Sequence, residues 1–136
     1  MSDNAKQAES DAPRAYVAIG ASAGGLEALR ALIGNLPSDT GFAVVVAQHL
    51  APQHASMLAA LLSRESRVPI EEARDGVQLA ANRIYITPPN CDISVRGNAI
   101  VLQRPHADRG PKPSVNVLFE SIAKAYGPRS ALKIVR

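Results

Sequence analysis

The chain has 136 residues, of which 46% are hydrophobic and 20% are charged, so it can bury one core and is neither a coiled coil nor disordered throughout. Its formal net charge is +3, but aromatic residues make up only 4% of the chain and the basic residues are scattered, which argues against nucleic-acid binding. The lone cysteine, Cys91, excludes an internal disulfide, and no apolar run approaches the roughly 20 residues that cross a bilayer, so we expect a cytoplasmic protein without membrane insertion.

The first predicted elements form a βαβ unit. Residues 1–14 lack apolar periodicity and are expected to be a disordered tail, which places the start of the domain near Ala15. Residues 15–20 and 42–47 are apolar at nearly every position, as is typical of parallel strands with helices on both sides. Between them, the apolar residues of segment 26–33 recur at helical spacing and stop before a Gly-Asn pair.

The middle of the chain predicts a second helix and a hairpin. The helix covers about residues 54–64, and its inward side chains are expected to be Met57, Leu58, Leu61 and Leu62. Residues 83–87, 92–96 and 99–103 then alternate between apolar and polar with period two. Because Gly97-Asn98 between the last two segments favours a two-residue turn, these segments predict a hairpin insertion.

The last predicted elements are a helix and a strand. Ser114 can cap a helix that stops at Gly127-Pro128, and its inward side chains are expected to be Val115, Leu118, Phe119 and Ile122. Residues 131–135 begin another strand. The alternation of strands and helices predicts an α/β fold: a doubly wound, mostly parallel sheet with helices on both faces, a Rossmann-like three-layer αβα arrangement. Because the sheet stops without a covering helix, we expect residues 15–136 to be a C-terminally incomplete domain.

The run GASAGG at residues 20–25 joins the first predicted strand to the first helix. It fits the G-x-S-x-G pattern, in which small residues permit a sharp turn that exposes a serine nucleophile, here Ser22. Backbone N–H groups of Ala23, Gly24 and Gly25, at the start of the helix, can hold an oxyanion. The same small residues also suit a phosphate-binding turn, although neither the G-x-G-x-x-G nor the P-loop fingerprint occurs. Both interpretations stay open on this run alone.

The second predicted strand ends in Gln48-His49. Adjacent parallel strands lie about 4.8 Å apart, so His49 can approach Ser22 if the two strands are neighbours, and an imidazole there can act as a general base. A histidine at a strand end is also compatible with an ordinary polar role. In α/β-hydrolases several strands precede the serine and the histidine comes last, so the order found here predicts a different scaffold with similar chemistry.

Five runs of the sequence occur in an order known from one protein family. They are AIGASAGG at 18–25, QHL at 48–50, DG at 75–76, IYITPPN at 84–90 and PSVNVLFESIA at 113–123. Together they resemble the CheB methylesterase family of bacterial chemotaxis, and the resemblance extends from about Ala15 to Val135 without large gaps.

The resemblance implies a protein-glutamate methylesterase that removes methyl groups from glutamate esters of chemoreceptors and deamidates receptor glutamines. It makes Ser22 the nucleophile and His49 the general base, with no metal or organic cofactor. The family's catalytic aspartate follows the last strand in a G-x-G-x-D-G segment, and no residue of this chain matches it, so we expect the chain alone to be a weak catalyst. A methyltransferase or a response regulator is a further partner that the resemblance admits.

Two positions depart from the family pattern. Ala23 stands where many members have threonine, and Asn116 stands where aspartate is common. We expect the first to alter hydrogen bonding near the oxyanion and the second to affect the start of a helix.

The main alternative to an esterase is a noncatalytic module that docks to receptors or partner enzymes on the same scaffold. The unmatched aspartate favours this alternative, whereas the presence of both Ser22 and His49 favours the enzyme, because a docking surface needs neither. Phosphate or nucleotide binding at residues 20–25 is a third hypothesis.

Overall fold

A computed structural model describes residues 12–48, 52–104 and 115–136 of the chain. Its elements, numbered in chain order, are β1 (Ala15–Ala21), α1 (Leu26–Gly34), β2 (Phe42–Gln48), α2 (Pro52–Ser63), β3 (Ile70–Glu72), β4 (Arg83–Ile86), β5 (Asp92–Arg96), β6 (Ala99–Gln103), α3 (Val115–Tyr126) and β7 (Ser130–Val135). None of the helices in these ranges is long and apolar enough to span a membrane. Most of the predicted tail and the predicted cap Ser114 lie outside the described residues.

Among the described residues, five strands form one parallel sheet in the order β3-β4-β2-β1-β7. β1 and β2 pair along their whole length, from Ala15 opposite Phe42 to Ala21 opposite Gln48. Since β7 pairs with the other side of β1, the strand order reverses at β1. In doubly wound sheets, ligands bind outside the carboxyl ends of the strands at such a reversal. The predicted fold class is confirmed, and it directs attention to the end of β1.

Alternate residues of the central strands pack into hydrophobic clusters on opposite faces of the sheet. The cluster under α1 and α2 includes Ile19, Leu29, Ile33, Val44, Val46, Leu58 and Leu62. The cluster under α3 and the β5-β6 pair includes Ala18, Val45, Tyr85, Ile93, Ile100, Leu118 and Ile122. Because both faces are covered, β1 and β2 must be apolar at successive positions. This continuous pattern is why the sequence predicts both strands correctly.

β5 and β6 form the predicted antiparallel hairpin. Gly97 and Asn98 have φ values of 58° and 65°, and two central residues with positive φ are what a type I′ turn requires. The hairpin is joined to α3 by two hydrogen bonds: Val95 N donates to Ser121 Oγ at 3.1 Å, and Tyr126 Oη donates to Asn98 Oδ1 at 2.9 Å. The insertion therefore covers the same face of the sheet as α3.

Two of the inward side chains predicted on α2 face outward instead. Met57 is 66% exposed and Leu61 is 39% exposed, whereas Leu58 and Leu62 are buried. Successive helical residues are about 100° apart around the axis, so Met57 and Leu61 point to one side of α2 and Leu58 and Leu62 point to another. Residues four apart share a face, and the pair 58 and 62 takes the inner one. The prediction for Met57 and Leu61 is wrong.

Residues 83–87 contain a strand, as predicted, but its burial does not alternate. β4 lies between β3 and β2 in the sheet, and Ile84, Tyr85 and Ile86 are all buried. The hydroxyl of Tyr85 accepts a hydrogen bond from Ala80 N at 2.9 Å. Because its polar group has this partner, Tyr85 can be buried on the face of the sheet opposite to Ile84 and Ile86. The edge strand β3 is not predicted, because three residues carry too little pattern.

Candidate active site

Ser22 follows β1 directly and lies exposed at the carboxyl edge of the sheet. Its backbone is extended, with φ −78° and ψ 167°, a region that any residue adopts. One turn of 3-10 helix, Ala23–Gly25, then leads into α1. The serine is therefore presented without the strained turn that characterises the nucleophile of α/β-hydrolases, in agreement with the different scaffold that the chain order predicts.

The peptide groups of Ser22 are held by both strands that flank β1. The Ser22 N–H donates to Val135 O of β7 at 3.2 Å. The Ser22 carbonyl accepts a hydrogen bond from Gln48 Nε2 of β2 at 2.9 Å and another from Gly25 N at 2.8 Å, which closes the turn. The amide of Gly25 is thus engaged within the turn, and the amides of Ala23 and Gly24 remain the candidate oxyanion donors.

The glycines at this turn and just before it differ in how much space surrounds them. A Cβ on Gly25 would lie 2.5 Å from Val135 O, because the end of β7 passes directly against the turn. A Cβ on Gly20 would lie 2.5 Å from a methyl carbon of Val115, at the start of α3. At Gly24 a Cβ would meet nothing within 4 Å. Close approach therefore requires glycine at positions 20 and 25 but not at 24.

A cavity of about 280 Å³ opens beside Ser22, between the ends of β1 and β7 and the start of α3. Its lining residues are Gly20, Ala21, Ser22, Val115, Asn116, Ile134 and Arg136. Among these described residues only Arg136 is charged, and Asn116 supplies an amide. The volume is at the lower end for a ligand pocket, so it suits one side chain rather than a large cofactor.

Asn116 has a second placement that the sequence did not reveal. It is the second residue of α3, which agrees with the expected position at the helix start, and it also lines the cavity beside Ser22. The two residues are far apart in the chain, so only the packing of α3 over β1 brings them to one cavity.

Gln48 is a site residue that the sequence alone does not single out. It closes β2, is 4% exposed, and donates from its amide to the Ser22 carbonyl. Its other amide atom, Oε1, is buried and accepts no hydrogen bond in the structure as described. The available signal was a polar side chain at the end of a strand that is otherwise apolar.

His49, the predicted general base, follows Gln48 in the chain and lies outside the described residues. Its role therefore stays a prediction. The part of the chain that the structure describes contains no group of three His, Cys, Asp or Glu side chains that could hold a metal ion. Burial raises the pKa of the Cys91 thiol, which lowers its thiolate fraction and makes it a poor alternative nucleophile.

Comparison with known proteins assigns the whole described core to one family. Residues 17–135 match the model of the CheB methylesterase family. The chain is 39% identical over 126 residues to the protein-glutamate methylesterase/protein-glutamine glutaminase 2 of Methanosarcina acetivorans, an alignment that covers 87% of this chain and 35% of that protein. It is 40% identical over 114 residues to the protein of the same name from Anaeromyxobacter dehalogenans, covering 83% of this chain and 33% of that one.

A solved structure matches as well. The crystal structure of the Thermotoga maritima CheB methylesterase catalytic domain superimposes with a TM-score of 0.78 at 27% sequence identity, over 88% of this chain and 66% of that one. The resemblance seen in the sequence is confirmed. The chain spans about a third of the length of the curated relatives it matches.

Proposed function

The chain belongs to the CheB methylesterase family, and on that premise we propose that it is a protein-glutamate methylesterase, a carboxylic ester hydrolase. Its proposed substrates are methylated glutamate side chains of chemoreceptors, with receptor glutamines as a second class. One observation carries the proposal: Ser22 lies exposed where the strand order reverses, on a backbone held by both flanking strands, and it lines a cavity of side-chain size.

In the proposed first step, Ser22 Oγ attacks the γ-carbonyl carbon of the ester while His49 takes the hydroxyl proton. The negative charge that develops on the carbonyl oxygen is held by the amides of Ala23 and Gly24, since the Gly25 amide already donates to Ser22 O. The tetrahedral intermediate then collapses, and the departing methoxy oxygen takes the proton from His49 and leaves as methanol. A γ-glutamyl ester on Ser22 remains.

In the second step, water attacks this ester and His49 takes a proton from the water. Collapse of the second tetrahedral intermediate returns the proton to Ser22 Oγ and releases a free glutamate side chain. A glutamine substrate follows the same path with ammonia as the leaving group in the first step. The residues proposed for both steps need no metal or organic cofactor.

The placement of Ser22 suits this chemistry because acyl transfer depends on a nucleophile held near its attacking position. The Ser22 N–H donates to the Val135 carbonyl and the Ser22 carbonyl accepts from Gln48 Nε2, so the turn is attached to both β7 and β2. A site built on strand ends is more precise than one built on a free loop. A turn attached to both flanking strands is therefore consistent with catalysis and is more than a docking surface needs.

Chemoreceptors are the proposed partners, and a methyltransferase or a response regulator is a further proposed partner. The cytoplasmic location expected from the composition forms part of the same proposal.

A fluorophosphonate probe tests the proposed nucleophile directly, since it reacts covalently with activated serines. We expect the wild-type protein to be labelled on Ser22 and the Ser22→Ala variant to be unlabelled. Ser63→Ala is the matched control, because Ser63 is also exposed but lies at the end of α2 and away from the ends of the strands. The labelling of this variant is expected to equal that of the wild type. Absence of Ser22-dependent labelling would support the noncatalytic docking module instead.

A further inference from the structure

The side chain of Gln48 reaches from β2 to the peptide that carries the nucleophile. Gln48 pairs with Ala21, the residue before Ser22, in the register of β1 and β2. Its Nε2 donates to Ser22 O at 2.9 Å, and the residue is 4% exposed. Gln48 is therefore too deeply buried to touch a substrate, and any part it takes in the reaction must act through Ser22.

The fold itself does not need an amide at this position. Gln48 Oε1 is buried and unpaired among the described residues, and a buried acceptor without a partner destabilises a protein. Ser22 O also accepts the hydrogen bond from Gly25 N, so it would keep a partner if the Gln48 donor were removed. An apolar side chain of similar length would satisfy the packing without burying an unpaired oxygen.

The orientation of the amide follows from the same contact. If the nitrogen and oxygen of the Gln48 amide were exchanged, Oε1 would face Ser22 O and two acceptors would meet. The donor therefore points at Ser22, and it is the other half of the amide that remains without a partner.

This hydrogen bond constrains the direction of one peptide plane from the side of β2. In a trans peptide the C=O and the following N–H point in opposite directions, so holding the Ser22 carbonyl toward β2 aims the Ala23 N–H away from β2. Ala23 N–H is one of the two proposed oxyanion donors. Gln48 therefore acts together with the Gly25 N–H on the orientation of that donor, and it is the one of the two that ties the peptide to β2.

We propose that Gln48 is a positioning residue for the esterase reaction, which holds the Ser22–Ala23 peptide so that the Ala23 amide faces the developing oxyanion. This inference rests on the proposed function and adds a residue to it. Since preorganised donors act on the transition state more than on the bound substrate, removing Gln48 is expected to lower kcat and to leave KM unchanged.

The test compares Gln48→Met with Thr87→Val in the full protein as its gene encodes it. Thr87 is 5% exposed, and its Oγ1 donates to Val46 O at 2.7 Å, an acceptor that also takes a bond from Thr87 N at 3.0 Å. Each substitution thus removes one buried donor from a carbonyl that keeps a second partner. The Thr87 bond lies one strand further from Ser22, which makes it a matched control.

We expect Gln48→Met to lower kcat for methyl-ester hydrolysis, and the rate constant of fluorophosphonate labelling, by about tenfold or more. Its KM and its thermal unfolding midpoint are expected to be no worse than those of the wild type. Thr87→Val is expected to keep the wild-type kcat. Gln48→Leu removes the same donor with a differently shaped side chain and is expected to show the same loss, which guards against a folding defect particular to methionine.

A wild-type kcat in folded Gln48→Met and Gln48→Leu would overturn the proposal, as would a loss of kcat that merely follows a loss of folded protein. Failure of the proposed function gives a different result, because the wild-type protein would then show neither hydrolysis nor Ser22-dependent labelling. That result would overturn both proposals, whereas an active wild type with unaffected Gln48 variants overturns only this one.

Discussion

Replacing Gly25 by alanine should destabilise the protein by about 2–3 kcal/mol. A Cβ at this position would lie 2.5 Å from Val135 O and 2.9 Å from Val135 C, whereas ordinary contacts begin at 3.4 Å. The turn and the end of β7 must therefore move apart by about 0.9 Å to reach ordinary contact. The cost falls at the upper end of the range for overpacking because the atoms in the way are backbone and no side-chain rotation relieves them.

The backbone conformation of Gly25 is not the reason for this cost. Its φ of −90° and ψ of 5° are accessible to alanine. The same Val135 carbonyl accepts the Ser22 N–H, so the displacement also disturbs the nucleophile. We therefore expect the rate of fluorophosphonate labelling to fall together with the stability.

Equilibrium urea unfolding of wild type, Gly25→Ala and Gly24→Ala measures the effect. Gly24→Ala is the control, since a Cβ there meets nothing within 4 Å, and its free energy of unfolding should stay within about 0.5 kcal/mol of the wild type or rise slightly as the unfolded chain loses freedom. Equal stability of the two variants would show that β7 does not press against the turn, and the packing described for the site would be refuted.

Three further predictions concern the scaffold. Leu58→Ala should lower the free energy of unfolding by about 2–5 kcal/mol, because Leu58 is buried between α2 and the sheet. Met57→Ala should change it by less than about 0.5 kcal/mol, since Met57 is 66% exposed. Equal losses in urea unfolding would contradict the orientation of α2. Gly97→Ala should cost about 1–2 kcal/mol, because Gly97 has a φ of 58° in the hairpin turn and alanine is strained there; an unchanged urea midpoint would argue against the type I′ turn. Burial raises the pKa of Tyr126 to about 12, above the value near 10 of an unfolded tyrosine, so the folded state keeps this proton longer and its contribution to stability falls as the pH rises from about 10 to about 12. Unfolding measured at about pH 9 and about pH 11 should show a smaller decline for Tyr126→Phe than for the wild type, and identical declines would count against burial as the cause.

The sequence predicts the parts of this fold whose signal is local. Continuous apolar runs identify β1 and β2 because both of their faces are buried, and the pair Gly97-Asn98 identifies the hairpin because few residues accept positive φ. Small residues around Ser22 likewise predict the turn after β1. In each of these cases the physical requirement falls on neighbouring residues, so one sequence is enough to show it.

The sequence does not predict features that depend on contacts between distant residues. Gln48 and Ser22 are 26 positions apart, and the amide of Gln48 contacts Ser22 only because β2 pairs with β1. Asn116 reaches the Ser22 cavity only through the packing of α3. Met57 and Leu58 have the same character in the sequence, and the position of α2 on the sheet alone decides which of them is buried.

Release of methanol from a methylated receptor peptide measures directly whether Ser22 is the nucleophile of an esterase. We expect the protein to release methanol, Ser22→Ala to abolish the release, and a γ-glutamyl ester on Ser22 to be trapped during turnover. Methanol release that continues undiminished in Ser22→Ala would refute the role proposed for Ser22, because the reaction would then proceed without the hydroxyl at the end of β1.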